Sequence, residues 1–600
     1  MAGETVQSEL EGEKQKMKFQ RIFKLLFIAL LIVLIAACSP QTLEEPDEAD
    51  APTAAPAVGE ETDEDAEEEE AAEEPTEEPI DEPTEEPVAE EEPTEETADH
   101  GGMTEFVFAH PGPIHTMDAP VTWFGSTHWL ANLLYDCLIW RAADGEGYVG
   151  QAAESWENID EITWRFHLRP GLTYHNGEPL DAEAVKWNID RVRSREDFLV
   201  HPQWQFVSEV NVIDEVTVDV ITDGPHPYFE YDVSFNGCEL LPPDYMEEVG
   251  EEEFARNPVG SGPYQLVEFT ESDRYVFEAW DDYWGGRPEV DRVIYQVIPE
   301  QSSQVAALLA GQVDMVPTVP GPDQERVEST EGISLLTETS NRMHHFYLRV
   351  ETETGAMDET YPDYQPATLD QNVRQAISHA LDRTLLAEVQ GAASPRLARV
   401  CSYYAEGFSD QYAGTEAADA WYDPELAMQL LRDAGYDPDS GNGPTIYLDA
   451  PTFQFGGEKE VAEVAAAMLE DVGFNVELSV LDGSAYAEQI TQGGNNRDMM
   501  MTTLGCSPSL VPLFYQCDWE QANYNVCVEE WDALGEQILS TVDEQERLAL
   551  WEDWWGYYLD YAHTITLYEI DNVMALNTAE FEWTPRRDGW FTFRDLRPAE

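Results

Sequence analysis

The chain has 600 residues, too many for one simple domain on a prior of roughly 100–200 residues each. Its 42% hydrophobic and 11% aromatic content, with 17 Trp, 26 Tyr and 23 Phe, supplies a large core and an aromatic-lined binding site. The 31 Lys and Arg stand against 122 Asp and Glu, a formal net charge of −91, which excludes nucleic acid and broad docking onto anionic lipid, since both require a basic surface.

The first element is Leu25 to Ala37, thirteen continuously apolar residues, short of the ~20 that span a bilayer as a helix. Lys18, Arg21 and Lys24 precede it and small residues end it, which predicts a signal peptide over 1–37, with Met17 as an alternative start. An uncleaved short anchor is the competing reading, and either one puts the bulk of the chain outside the cytoplasm. Leu34-Ile35-Ala36-Ala37-Cys38 resembles a bacterial lipobox, which implies that Cys38 is lipidated and heads the mature chain. Residues 38–102 then read as a disordered tether rich in Pro, Glu and Thr. From 40 to 100 there are 28 acids and no Lys or Arg, so mutual repulsion and scant apolar surface oppose folding. A metal-binding acidic tail is the weaker alternative.

The folded body begins near Met103. Thr104 to Ala109 alternates as a strand and ends in the turn His110-Pro111-Gly112-Pro113. Thr127 to Ile139 has helical apolar spacing. Ile162 to Arg169 alternates as a strand and turns at Pro170-Gly171, and a helix starts near Leu180 with Asp181 as N-cap. Strands at Val216–Thr222, Tyr275–Trp280 and Val293–Ile298 then mix with helices at Ser303–Ala310, Asp370–Leu381, Pro424–Ala434 and Lys459–Val472. This α/β pattern over ~500 residues predicts more than one lobe. With Cys38 set aside, Cys137, Cys238, Cys401, Cys506, Cys517 and Cys527 allow 15 pairings; an oxidising compartment predicts disulfides, and no C-x-x-C spacing points to zinc.

Six segments in order resemble the family 5 extracellular solute-binding proteins of ABC importers, which take oligopeptides, dipeptides or nickel. They are Trp164 to Leu180 (WRFHLRPGLTYHNGEPL), Asn257 to Tyr264 (NPVGSGPY), Tyr283 to Pro288 (YWGGRP), Ala306 to Asp314 (AALLAGQVD), Val373 to Arg383 (VRQAISHALDR) and Ala427 to Tyr436 (AMQLLRDAGY). The resemblance covers nearly all of 104–600. Locally these segments read as scaffold: Gly260-Ser261-Gly262-Pro263 suits a tight crossing, with positive φ expected at its glycines, His175-Asn176-Gly177 is a turn, and Asp382 and Arg383 pair with neighbours at a helix end.

The resemblance implies an α/β, two-lobed periplasmic-binding-protein-like fold with an extra subdomain inserted in the first lobe. Lobe I would comprise about 103–150, 256–340 and 565–600, the inserted subdomain 151–255, and lobe II 341–564. It further implies a monomer that captures a peptide-like or oligosaccharide solute between hinged lobes and delivers it to ABC permease subunits. The protein would sit at the extracytoplasmic face of the membrane, on the cell surface or in the periplasm, held by its lipid anchor.

No catalytic motif stands out: G-x-S-x-G, H-E-x-x-H and G-x-x-x-x-G-K-[ST] are missing from the sequence, and no cofactor is expected. His344-His345 is a poor metal pair because adjacent strand residues face opposite ways, and Asp437 to Gly443 lacks the closing Glu of a calcium loop. A secreted hydrolase acting on a polymer fragment is the alternative function, and a receptor feeding a sensor a third. Cleft candidates are Thr122, Trp123 and Phe124 after the first strand, Tyr403 and Tyr404, and Thr503, Ser507 and Ser509, aromatics covering solute faces and hydroxyls orienting polar groups. Peptide-binding relatives carry an Asp for the peptide's amino group where this chain has Pro508, a departure that weighs against peptides and toward oligosaccharides. The same relatives imply a Cys517–Cys527 disulfide, which would leave Cys137–Cys238 and Cys401–Cys506 as a remainder without physical support of its own.

Overall fold

Alternating burial along Glu105–His110 (β1) puts Phe106 and Phe108 wholly inside. The structure is a computed structural model that describes residues 103–599 except 111, 113, 115, 123–124, 146, 351–363, 392, 402–411, 413, 452–456, 483–484, 487–497 and 517–527. The expectations for the signal peptide, Cys38, the tether, Trp123, Phe124, Tyr403, Tyr404 and the Cys517–Cys527 pair lie outside the described residues.

After Gly125–Leu134 (α1) come four strands, β2 (Ala153–Asn158), β3 (Thr163–Leu168), β4 (Val207–Asp214) and β5 (Thr217–Thr222). They form an antiparallel sheet of order β2-β3-β5-β4. Helix α2 (Ala182–Ser194) presents Val185, Ile189 and Val192 to a core that also holds Phe166, Val218 and Val220. Asp181 starts that helix as expected, its carboxylate accepting from the Glu183 and Ala184 amides, both at 3.0 Å.

The chain continues through β6 (Tyr264–Thr270), β7 (Arg274–Ala279), β8 (Arg292–Val297), α3 (Gln301–Leu309), β9 (Met315–Val316) and β10 (Ile333–Leu348). Next come α4 (Gln371–Ala380), α5 (Arg383–Gln390), β11 (Ala393–Pro395), α6 (Pro424–Asp433), β12 (Thr445–Pro451), α7 (Glu458–Asp471), β13 (Asn475–Leu481) and β14 (Met499–Gly505). Helices α8 (Glu529–Ser540) and α9 (Glu544–Tyr561) lead to β15 (Thr564–Asn577). An 11-stranded mixed sheet runs β13-β12-β14-β10-β15-β9-β1-β8-β7-β6, with β11 on β15. The fold is thus mixed α/β, as the sequence pattern predicts.

Strands β10 and β15 are antiparallel and serve two separate cores. Ile333 and Leu335 of β10, with Val573 and Ala575 of β15, pack with α3 residues Val305 and Leu308. At the other end Phe346, Leu348, Ile565, Leu567 and Ile570 pack with α4, α6 and α7 residues such as Ile377, Leu431 and Val461. Between these ends β10 reads Thr337-Glu338-Thr339-Ser340-Asn341-Arg342, and the register shifts between Thr339 and Arg342. That shift is a bulge, with Ser340 Oγ donating to the Ile570 carbonyl at 2.8 Å.

The six motif segments hold this frame together. Asp314 ends the fourth of them by accepting the Val107 amide at 2.8 Å and Asn577 Nδ2 at 3.2 Å, joining β1 to β15. Tyr283 and Trp284 converge with Arg594 on buried Asp136, at 3.1, 2.7 and 2.8 Å. Asp382 caps α5, and buried Arg383 donates to the carbonyls of Thr566 and Ser378 at 2.7 and 3.1 Å. His175-Asn176-Gly177 is a turn with Gly177 at φ 86°, and His175 Nε2 lies 3.0 Å from the Gly262 carbonyl. Neither Gly260 nor Gly262 has a positive φ, which corrects the reason expected for that motif. The need for glycine is steric: a Cβ would lie 1.8 Å from the Leu134 carbonyl oxygen at Gly260 and 2.4 Å from that of Leu133 at Gly262.

Gly262→Ala should therefore lower stability by about 1–3 kcal/mol, read as a fall in melting temperature; an unchanged melt would show that this crossing can open without cost. Burial pushes the His175 imidazole down to about 4, against about 6.5 for a free histidine. Between those values the unfolded chain holds a proton that the folded chain does not, so stability falls as pH drops from 6.5 to 4, by about 1.4 kcal/mol per unit from this residue. Urea unfolding at pH 7.5, 6 and 5 should show that slope reduced in His175→Gln; an identical slope in the variant contradicts the assignment.

Candidate functional site

Of the cleft candidates, the structure brings Ser507 and Ser509 together and links them to a segment far away in sequence. Both are buried, and their hydroxyl oxygens are 3.2 Å apart. Ser509 Oγ donates to Asp232 Oδ1 at 2.6 Å, and Asp232 Oδ2 lies 2.7 Å from His226 Nε2. Asp232 closes the one-turn helix Phe229–Asp232, which buries its carboxylate, while Phe206 stacks on His226 at 4.2 Å. A second contact joins the same parts of the chain: Trp551 Nε1 of α9 donates to Tyr228 OH at 2.9 Å, and the Arg547 guanidinium lies 5.2 Å from the Tyr228 ring centre. Burial raises the Tyr228 phenol, which keeps it neutral.

The other side of Ser507 is fixed by a disulfide. Cys506 is bonded to Cys401, and Met343 of β10 packs against the pair. This draws Arg399 against the end of β14, where Nε donates to the Gly505 carbonyl at 2.8 Å and Nη2 reaches the same oxygen. The Arg399 guanidinium lies 5.0 Å from the Phe514 ring centre. His345 is held far below its ordinary pKa, by burial first and then by the Arg399 charge, so its ring is neutral; Nδ1 is 3.1 Å from Thr566 Oγ1. Tyr515, whose hydroxyl interacts with the Arg399 guanidinium, donates to Thr564 Oγ1 at 2.9 Å.

Thr503 lies on β14 opposite His344, its Oγ1 buried with no hydrogen-bond partner among the described residues. His344 Nδ1 is 2.9 Å from Tyr568 OH, and burial lowers its pKa to about 3, so the two histidines serve the sheet as neutral rings. Thr122 belongs to a separate network. Its carbonyl accepts from His128 Nε2 at 2.8 Å, and His128 Nδ1 pairs with Glu239 at 2.7 Å. Burial opposes charge on His128, yet the Glu239 carboxylate outweighs it and raises the pKa. The two networks share one segment, since Asp232 and Glu239 both lie between His226 and Leu241. Cys238 anchors that segment to Cys137 through the first disulfide.

Asp232, Arg399 and the Tyr228–Trp551 pair are not among the residues that the sequence singles out. Nothing separates Asp232 from the 90 acids after residue 100, whereas Arg399 is one of only 26 basic residues there, and that scarcity is a usable signal. Asp437 to Gly443 contains a single turn (Pro438–Ser440) between α6 and β12, with Gly441 left-handed. Among the described residues no group of three or more His, Cys, Asp or Glu is placed to hold a metal ion.

Comparison with known proteins adds the family. Residues 147–524 match the family described as bacterial extracellular solute-binding proteins, family 5. The chain is 25% identical over 419 residues to the glutathione-binding protein GsiB of Pectobacterium atrosepticum, covering 67% of this chain and 76% of that one. It is 24% identical over 432 residues to the dipeptide-binding protein of Escherichia coli, covering 67% and 77%. Its fold is similar to the crystal structure of a dipeptide-binding protein from Pseudoalteromonas in complex with Met-Leu, with a TM-score of 0.70 and 19% identity over 82% of this chain and all of that one. With more than half of its length matched, this chain belongs to the family 5 bacterial extracellular solute-binding proteins.

Proposed function

We propose that the chain is the solute receptor of an ABC import system, tethered by lipidated Cys38 outside the cytoplasm. It takes up a peptide-like or oligosaccharide solute between two lobes and hands it unaltered to the permease. The lobes are those expected from the sequence, 103–150, 256–340 and 565–600 against 341–564, with 151–255 as the inserted subdomain. The observation that carries this reading is the β10–β15 pair, which serves two cores and is polar and bulged in between, a place where small changes of φ and ψ swing one core against the other.

On this reading Ser509–Asp232 and Trp551–Tyr228 are the contacts that closing makes, because each joins the inserted subdomain to the second lobe. Oligosaccharide stays beside peptide as a solute class because of Pro508. Asp232, although near, does not replace the missing Asp: both of its carboxylate oxygens are engaged, by Ser509 and His226.

Native mass spectrometry of the protein as purified should show a non-covalently bound small molecule that leaves unchanged on mild unfolding. Release of a cleaved or altered molecule on incubation would favour the hydrolase instead. Ser509→Ala removes a hydrogen bond to a charged group, worth about 1.5–3 kcal/mol. It should enlarge the radius of gyration measured by X-ray scattering without added solute and weaken capture; unchanged size and affinity would mean that Ser509 is not a closing contact.

A further inference from the structure

His128 of α1 is 1% exposed, and each of its ring nitrogens faces an acceptor. Nδ1 lies 2.7 Å from Glu239 Oε1, and Nε2 lies 2.8 Å from the Thr122 carbonyl oxygen. Glu239 Oε2 accepts the Gly237 amide at 3.1 Å. A neutral imidazole has one N–H and can serve only one acceptor, so holding both bonds requires one further proton on the pair. His175 shows the contrast. Its Nε2 faces the Gly262 carbonyl while its Nδ1 accepts the Gly260 amide at 3.2 Å, an arrangement that a neutral ring satisfies. Charged groups on the other elements around His128 have partners of their own. Asp118, just before the Ala119–Val121 turn, pairs with Arg191, and Asp232 is engaged by His226 and Ser509. The Trp590 ring, 5.8 Å from the His128 ring, belongs to the segment in which Asp588 pairs with Arg586 and Arg141. Among the described residues Glu239 is thus the charge that meets the ring.

We propose that His128 is a positioning residue: as an imidazolium it clasps the segment from His226 to Leu241 onto α1, and loss of its second proton in alkaline medium loosens the closing contact that this segment carries. The clasp stands on the geometry alone, whereas its effect on closing rests on the receptor reading above. Deprotonation leaves one buried acceptor facing a lone pair, which drives the ring and that acceptor apart. Cys238, next to Glu239 and bonded to Cys137, keeps the segment within reach, so the opening is local. The sign follows from the proton count. Burial opposes charge on the ring and Glu239 outweighs it, so the folded chain keeps this proton to a higher pH than the unfolded chain, whose histidine has a value of about 6.5. The contribution of the clasp is present below 6.5 and is lost as pH climbs through the raised value.

Amide hydrogen exchange of the whole chain, read by mass spectrometry at pH 6, 7.5 and 9 and corrected for the intrinsic rate, tests the clasp without any solute. Peptides from 226–241 should open up to about 10-fold more readily per pH unit once the ring loses its proton, while those of α7 stay unchanged. Glu239→Gln should abolish that dependence and keep the fold, because its amide can donate to a neutral Nδ1 while its oxygen still takes the Gly237 amide. His128→Gln, which binds no second proton, should show at pH 6 the exchange that the wild type reaches only at pH 9. A flat profile in the wild type, or a slope that persists in Glu239→Gln, overturns the proposal. Closing is read separately, from the radius of gyration by X-ray scattering without solute, which should grow between pH 6 and 9 in the wild type and not in Glu239→Gln. A constant radius while the clasp opens overturns the link to closing and leaves the clasp standing. The receptor reading itself fails on a different result, the turnover of a purified solute.

Discussion

Two strands long enough to enter two cores, and too polar in the middle to belong to either, are the constraint on which the rest of this structure depends. A strand buried throughout would be apolar from end to end. β10 and β15 are apolar only at their ends, and between them lie Glu338, Ser340 and Arg342 on one strand and Asp571 and Asn572 on the other. Polar backbone and side chains in that stretch are satisfied locally, as with Ser340 Oγ on the Ile570 carbonyl. Gly589, with φ at 71°, packs so near the bulge that a Cβ would lie 2.6 Å from the Ser340 carbonyl oxygen. The bulge is thus sterically gripped from one side while its strands stay continuous.

The same feature explains which parts of the fold were legible in the sequence. Elements with one buried stripe or face announced themselves: β1, β3, α2, α4, α6 and α7 lie within a few residues of where periodicity put them, and Asp181 caps its helix as read. β10 and β15 carry no such signal, because their apolar residues are split between cores at the two ends and the bulge breaks the period of two. The aromatic run Trp551, Trp554, Trp555 and Tyr558 of α9 forms a core with Trp531 and Tyr515, and counting aromatics does not reveal which of them share a core.

For the candidate site the limit is different in kind. Ser507 and Ser509 were found by position after a short strand, yet their partner Asp232 stands 277 residues before Ser509, and no local rule reaches that far. The disulfides add the same lesson: six cysteines permitted many pairings, and only the fold puts Cys401 against Cys506 and Cys137 against Cys238. The recurring motifs, by contrast, are legible because each is a compact run of residue types, such as the glycines at 260 and 262, where any larger residue would strike the Leu134 and Leu133 carbonyls, although the contacts they make are long-range.

A net charge of −91 governs how solutes approach this protein, but not the chemistry of its interior. Screening separates the two effects. At physiological ionic strength charges fade beyond about 8 Å in water, so exposed carboxylates slow the approach of an anion without setting its affinity once bound. Inside, where water is excluded, a buried charge is governed by its nearest neighbours, and at the end of β14 the Arg399 guanidinium meets the Gly505 carbonyl, the Phe514 ring and the Tyr515 hydroxyl.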